Sequence, residues 1–192
     1  RSHIPISLGL IGKKNTKPLP LTLQGENARG PEERVLEITA DSQEFVFEGI
    51  EEEPVLSLGH NFSAPVHFHD GNERAERAFL MRHDPDPFNR WEAGQKLSFE
   101  IALEMIGAIE AGGAAKVDEA YLDAFGGVIA RIIEDQAADE GAFSDSGFAA
   151  QMLMPPSENE LALTMDPIDP EAIHAARYGL IRAVASVHGA AI

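Results

Sequence analysis

The stretch PVHFHDGNERAERAFLMRHDPDPFNRWE at 65–92 puts His67, His69, Asp70, His83 and Asp84, all able to bind a metal, within eighteen residues of one another. Imidazole and carboxylate are ordinary zinc ligands, and an HxHD cluster can chelate. A second group, LGHNFSAP, sets His60, Asn61 and Ser63 beside Gly59, types from which a nucleophile and its base could be built. Spacing weighs against both. If 64–69 is a strand, His67 and His69 share one face while Val66 and Phe68 hold the other. The apolar pair then takes the core, and the histidines face solvent or a neighbouring domain. A zinc site needs a third and often a fourth ligand. His83 stands where a basic side chain favours a helix C-terminus, and Asp84 and Asp86 precede prolines as turn and cap residues. Ser63 and His60, three apart on a loop, read as turn chemistry. No His is followed by Glu, so H-E-x-x-H is absent, as are a G-x-x-x-x-G-K phosphate loop and a G-x-S-x-G elbow. No residue is therefore assigned as catalytic, cofactor-binding or metal-binding.

The elements that must position these residues change character once, near Asp70, where the hydrophobic period passes from two residues to three or four. Before it, HIPISLGL, LPLTLQ, RVLEIT (34–39), EFVFEGI (44–50), PVLSL (54–58) and APVHFH (64–69) alternate like half-buried strands between turn-rich pieces. Six short strands at this spacing predict a small antiparallel sandwich. Pro5 and Pro20 cannot donate to a ladder, so they belong at edges or point away from a neighbour. After it, caps predict helices over 72–83, from Pro87 to about Ala111, from Asp118 to about Ala137, over SDSGFAAQMLM, after the SENE capping box at 157–160, and from Asp169 and Pro170 onward. Short links make such helices an antiparallel array. The expected class is α+β, with a β-sandwich over 1–69 and an all-α array over 70–192. Trp91 is expected as a core anchor with Phe88, Leu97 and Ile101, and the glycine pair in DAFGGV as a close helix contact. Ile173, Leu180, Ile181, Val184 and Val187 stripe the last helix, which is expected either to self-associate or to pack back onto the array.

Composition excludes whole classes of partner. The chain has 192 residues, 44% of them hydrophobic, enough to bury a core. The 15 Lys plus Arg against 32 Asp plus Glu leave a net charge of -17, which repels nucleic acid and anionic membrane surfaces. Zero cysteines exclude disulfides and thiolate chemistry and fit a reducing compartment, so a cytoplasmic location is expected. No run approaches a membrane span, and the opening RSHIPISLG has neither an initiator Met nor a secretory h-region, so further upstream sequence is expected.

Four stretches in order, PVLSLGHNFSAPV (54–66), FLMRHDPDPFNRWEAGQKL (79–97), PSENELA (156–162) and IDPEAIHAAR (168–177), together resemble the C-terminal half of bacterial alanyl aminopeptidase N, a zinc metallopeptidase family of the gluzincin class. HIPISLGLIG and LPLTLQGE upstream are similar as well. The resemblance implies an immunoglobulin-like β domain followed by the start of a superhelical domain. It implies a parent enzyme that uses zinc to remove N-terminal residues from peptides. The family's GAMEN and H-E-x-x-H motifs match no position here, so no zinc ligand or general base carries over and the chain alone is expected to be inactive and to hold no cofactor. Its expected partners are the catalytic domain and remaining helices of the parent, with peptides as the parent's substrates. The alternative reading is a free-standing protein-binding module.

Overall fold

The computed structural model describes residues 3–60, 66, 68–114 and 116–190. The chain divides into two compact units, Arg1–Arg90 and Trp91–Ile192.

In the first unit the strands are β1 (Ile4–Gly12), β2 (Thr22–Leu23), β3 (Glu33–Ile38), β4 (Phe47–Glu48) and β5 (Pro54–Leu58). They form an antiparallel sheet in the order β3-β1-β5 and a two-stranded β2-β4 ladder. The predicted alternation is realised on the inward face. Leu8, Leu10 and Leu36 meet Leu19 and Leu21, with Phe45, Phe47 and Ile50 packed around them. β1 is staggered, since Ile4–Gly9 pair with β3 and Leu8–Gly12 pair with β5. Pro5 thus sits on the middle strand but in the part that β5 does not reach. The opposite face of the sheet is also buried, through Ser7, Ile11, Val55 and Ser57, and there α1 (Arg74–His83) lies against β5.

The expected sixth strand is not found among the described residues. Val66, Phe68 and His69 are not in a strand, and Ala64, Pro65 and His67 lie outside the described residues. The face argument for the two histidines therefore loses its premise, although His69 is exposed as expected.

In the second unit, α2 (Pro87–Glu110, entering from the first unit), α3 (Glu119–Ala138), α4 (Ser146–Leu153), α5 (Glu158–Ala162) and α6 (Pro170–His188) follow the predicted spans closely. Their starts are capped as the sequence demands: Asp118 accepts from the Ala120 amide, Asp145 from Gly147 and Phe148, and Asp169 from Glu171 and Ala172. Ser157 and Glu160 close a reciprocal capping box. α3 packs on α4 and α6, and α5 on α6. Gly126 in DAFGGV is a close contact, because a Cβ there would lie 2.6 Å from Cε1 of His188 on α6.

Leu97, Ile101 and Met105 of α2 are buried, but Phe88, Trp91 and Ile109 are only half-buried, which corrects the expectation of Trp91 as a core anchor. The deepest aromatic positions belong instead to Phe143 and Tyr121. On α6, Ile173, Leu180 and Val184 pack back into the array, whereas Ile181 and Val187 are exposed. Ile181, Leu180 and Val184 line a cavity of about 210 Å³ with Tyr121, Phe125 and Pro155.

Candidate functional site

The densest polar cluster lies in the first unit and is built on Ser57. This residue follows Val55 by two on β5, so its side chain shares the buried face and is 2% exposed. Its Oγ donates to Asp84 Oδ2 at 2.5 Å, lies 2.8 Å from His60 Nε2, and accepts from Asn89 Nδ2 at 2.8 Å. Asn89 Nδ2 also donates to the Leu58 carbonyl at 3.0 Å, and Asn72 Nδ2 donates to the Leu56 carbonyl at 2.9 Å.

Local chemistry brings each member in. Asp84 caps the end of α1 through its backbone N–H to Leu80 O, and its Oδ1 accepts the Asp86 amide at 2.9 Å. Asp86 Oδ1 in turn accepts the Phe88 and Asn89 amides at 2.8 and 3.1 Å, setting the first turn of α2. The Arg90 Nε donates to the Asp84 carbonyl oxygen. The His60 ring lies over Gly9, where a Cβ would stand 2.9 Å from Cε1, so only glycine leaves that space. His60 Nδ1 is 3.6 Å from Glu33 Oε2, and Glu33 Oε1 accepts from the Ser7 hydroxyl at 2.6 Å.

Asp84 is fully buried, and burial pushes its carboxyl above the ordinary aspartate range. Hydrogen bonds from Ser57 and the Asp86 amide and the nearby His60 pull the other way. Asp84 and Asp86 are turn and cap residues, as their place before proline indicated. That Asp84 would be buried and tied to β5 was not anticipated, because no short motif encodes a contact between residues 57 and 84. The one available signal was a serine at an inward position of a strand, three residues before a histidine.

Ser57, His60 and Asp84 are the residue types of a nucleophilic triad in the wrong order. Nucleophile activation needs the imidazole between hydroxyl and carboxylate. Here the hydroxyl stands between the other two, and no substrate can reach it. Ser63 and Asn61, the loop partners weighed for His60, lie outside the described residues.

Of the metal candidates, His67 lies outside the described residues, and His69, Asp70, His83 and Asp84 form no metal-binding group among those described. His83 packs its ring on Phe79, with centroids 4.9 Å apart. Asp70 Oδ1 accepts the Asn72 amide at 2.9 Å, and both Asp84 oxygens are taken. Among the described residues no group of three or more His, Asp or Glu could hold a metal ion, so the donors present do not fit a zinc centre.

With this geometry in hand, comparison with known proteins is informative. Residues 1–71 match the model of DUF3458, a domain of unknown function with an Ig-like fold, and residues 74–192 match DUF3458_C, described as ARM repeats. The first match ends before α1, whereas the compact unit runs on to Arg90, so the opening helix of the second match is packed on the sheet of the first. The chain is 40% identical over 68% of its length to aminopeptidase N of Caulobacter vibrioides, spanning 14% of that protein. It is 33% identical over 96% of its length to aminopeptidase N of Escherichia coli, spanning 19% of that protein. In fold it is similar to a crystal structure of Legionella pneumophila aminopeptidase A in complex with aspartic acid, with a TM-score of 0.63, 22% identity, and coverage of 98% of this chain and 19% of that one. An Ig-like domain followed by ARM repeats, in this order and with these relatives, places the chain in the DUF3458_C family, as the C-terminal portion of an aminopeptidase N.

Proposed function

We propose that this chain is a noncatalytic, supporting part of a zinc-dependent aminopeptidase that removes N-terminal residues from peptides. In this reading residues 1–69 are a β spacer, and residues 70–192 begin a helical array that encloses the catalytic domain. The observation that carries it is the Ig-like and ARM-repeat pair, aligned to proteins named aminopeptidase N of which the chain spans less than a fifth. Supporting it, among the described residues the cluster of Ser57, His60 and Asp84 is buried. The partners in this reading are the catalytic domain and the remaining helices of the same protein, and the cysteine-free composition supports a cytoplasmic setting.

The test compares this chain with the full-length enzyme for hydrolysis of alanyl amides and for bound zinc. Turnover and zinc are expected in the full-length enzyme only. Stoichiometric zinc with amide hydrolysis by the 192-residue chain would overturn the reading. An inactive full-length protein would leave the free-standing binding module as the better account.

A further inference from the structure

Ser57 has one proton and two lone pairs, and three neighbours claim them. The Asn89 amide orientation is fixed, because Nδ2 also reaches the Leu58 carbonyl oxygen, which can only accept. Nδ2 therefore donates to Ser57 Oγ and uses one lone pair. The other lone pair and the hydroxyl proton remain for Asp84 Oδ2 and His60 Nε2. One of these must donate to Ser57 while the other accepts from it. In one arrangement Ser57 donates to an ionised Asp84, and a charged His60 donates Nε2–H to Ser57 with Nδ1–H facing Glu33. In the other, a protonated Asp84 donates to Ser57, whose hydroxyl donates to a neutral His60 still protonated on Nδ1. Both satisfy Ser57 Oγ, Asp84 Oδ2 and His60 Nε2 together.

We infer that Asp84, Ser57 and His60 form a buried proton relay that holds one proton jointly between carboxyl and imidazole, making a pH-responsive clasp between β5 and the first turn of α2. In the transfer the His60 Nε2–H bond breaks as an O–H bond forms on Ser57. The original Ser57 O–H bond breaks as Asp84 Oδ2–H forms. One proton passes from ring to carboxyl, and the two charges disappear together.

The surroundings penalise any other proton count. With the shared proton gone, either Asp84 and Nε2 compete for the single Ser57 hydroxyl, or the bare Nδ1 faces the Glu33 carboxylate. With a second proton added, Asp84, His60 and Asn89 all point donors at Ser57. Among the described residues the other charged groups beside the trio are Asp86, whose carboxylate opposes ionisation of Asp84, and Arg90, whose Nε donates to the Asp84 carbonyl oxygen.

The decisive measurement follows the Asp84 carboxyl carbon and the His60 ring nitrogens of this chain by NMR as pH is varied. For a shared proton, each group's signal shows both macroscopic steps of the pair, at matching midpoints. Ser57→Ala leaves both ionisable groups in place and is expected to separate their midpoints, while Asp84→Asn removes the shared step from the His60 signals. A serine that only hydrogen-bonds the carboxyl would, when removed, move the Asp84 curve and leave the His60 curve in place. Unrelated midpoints for Asp84 and His60 in the unmodified chain overturn the relay, and that comparison decides even if a variant fails to fold. An unchanged His60 curve in Ser57→Ala overturns it as well.

Discussion

The two units are fastened in different ways. In the first, the tightest polar contacts join residues far apart in the chain, such as Ser57 with Asp84 and Ser7 with Glu33. In the second, the helix starts are fixed by side chains two or three residues from the amides they satisfy, as at Asp118, Asp145, Ser157 and Asp169. Contacts of the first kind exist only once the fold has formed, so removing one atom disturbs several partners at once. Local caps act one at a time, and their loss should stay near the helix concerned.

The largest expected effect lies in the helical unit, where burial rather than polarity dominates. Phe143 is wholly buried and stacks on Phe148 at 5.6 Å, so Phe143→Ala is expected to cost about 3–5 kcal/mol in urea unfolding. Half-buried Trp91 gives a smaller loss, roughly 2 kcal/mol for Trp91→Ala. If Trp91→Ala were the more damaging, the placement of the deepest packing at Phe143 would be wrong.

Next comes the hub. Ser57→Ala leaves a buried carboxylate without its donor and Asn89 without one of its acceptors, an expected loss of about 1–3 kcal/mol. Gly9→Ala should act on the same cluster by pushing the His60 ring, so the two losses combined should fall short of their sum. Full additivity in this double-mutant cycle would separate Gly9 from the hub.

Tyr121 supplies the contrasting polar burial of the helical unit. Burial pushes its phenol up to about 12, and the Ser98 hydroxyl 3.0 Å away only partly offsets this. Because the folded value is raised above the ordinary 10.0, its contribution to stability is complete below that value. That contribution is lost as pH rises through about 12. In a Tyr178→Phe variant, phenolate absorbance should therefore appear near 12 or on alkaline unfolding, and a normal tyrosine titration in the folded chain would contradict the buried pair.

The smallest effect is a single cap. Ser157→Ala should cost about 1 kcal/mol and raise amide exchange at Glu160 without disturbing the first unit. A loss as large as that of Ser57→Ala would erase the distinction between the two kinds of fastening.

The same distinction explains what could be read from the residues. Asp–x and Ser–x–x–Glu caps, proline at the first helical position and glycine stops are short-range signals, and they located every helix to within a few residues. The β core was legible as alternation in ISLGL and LTL, because a period of two is also local. The stagger of β1 and the short β2 and β4 were not, since pairing is settled between strands. His60 and Asp84 were visible as candidates, but the residue joining them, Ser57, was hidden in an ordinary-looking strand. Asn89 was equally hidden, because a helix-start asparagine carries no mark of the strand it will reach.

Pro5 has a consequence for the pairing of β1. Along β1 the odd-numbered residues turn their backbone groups toward the β5 side, as the bond from Gly59 N–H to the Ser7 carbonyl shows. On that side no described residue pairs with Pro5. A proline has no hydrogen to offer there, so the ladder of any strand on that side is interrupted at this rung. Pro5→Thr would restore the missing donor at that rung.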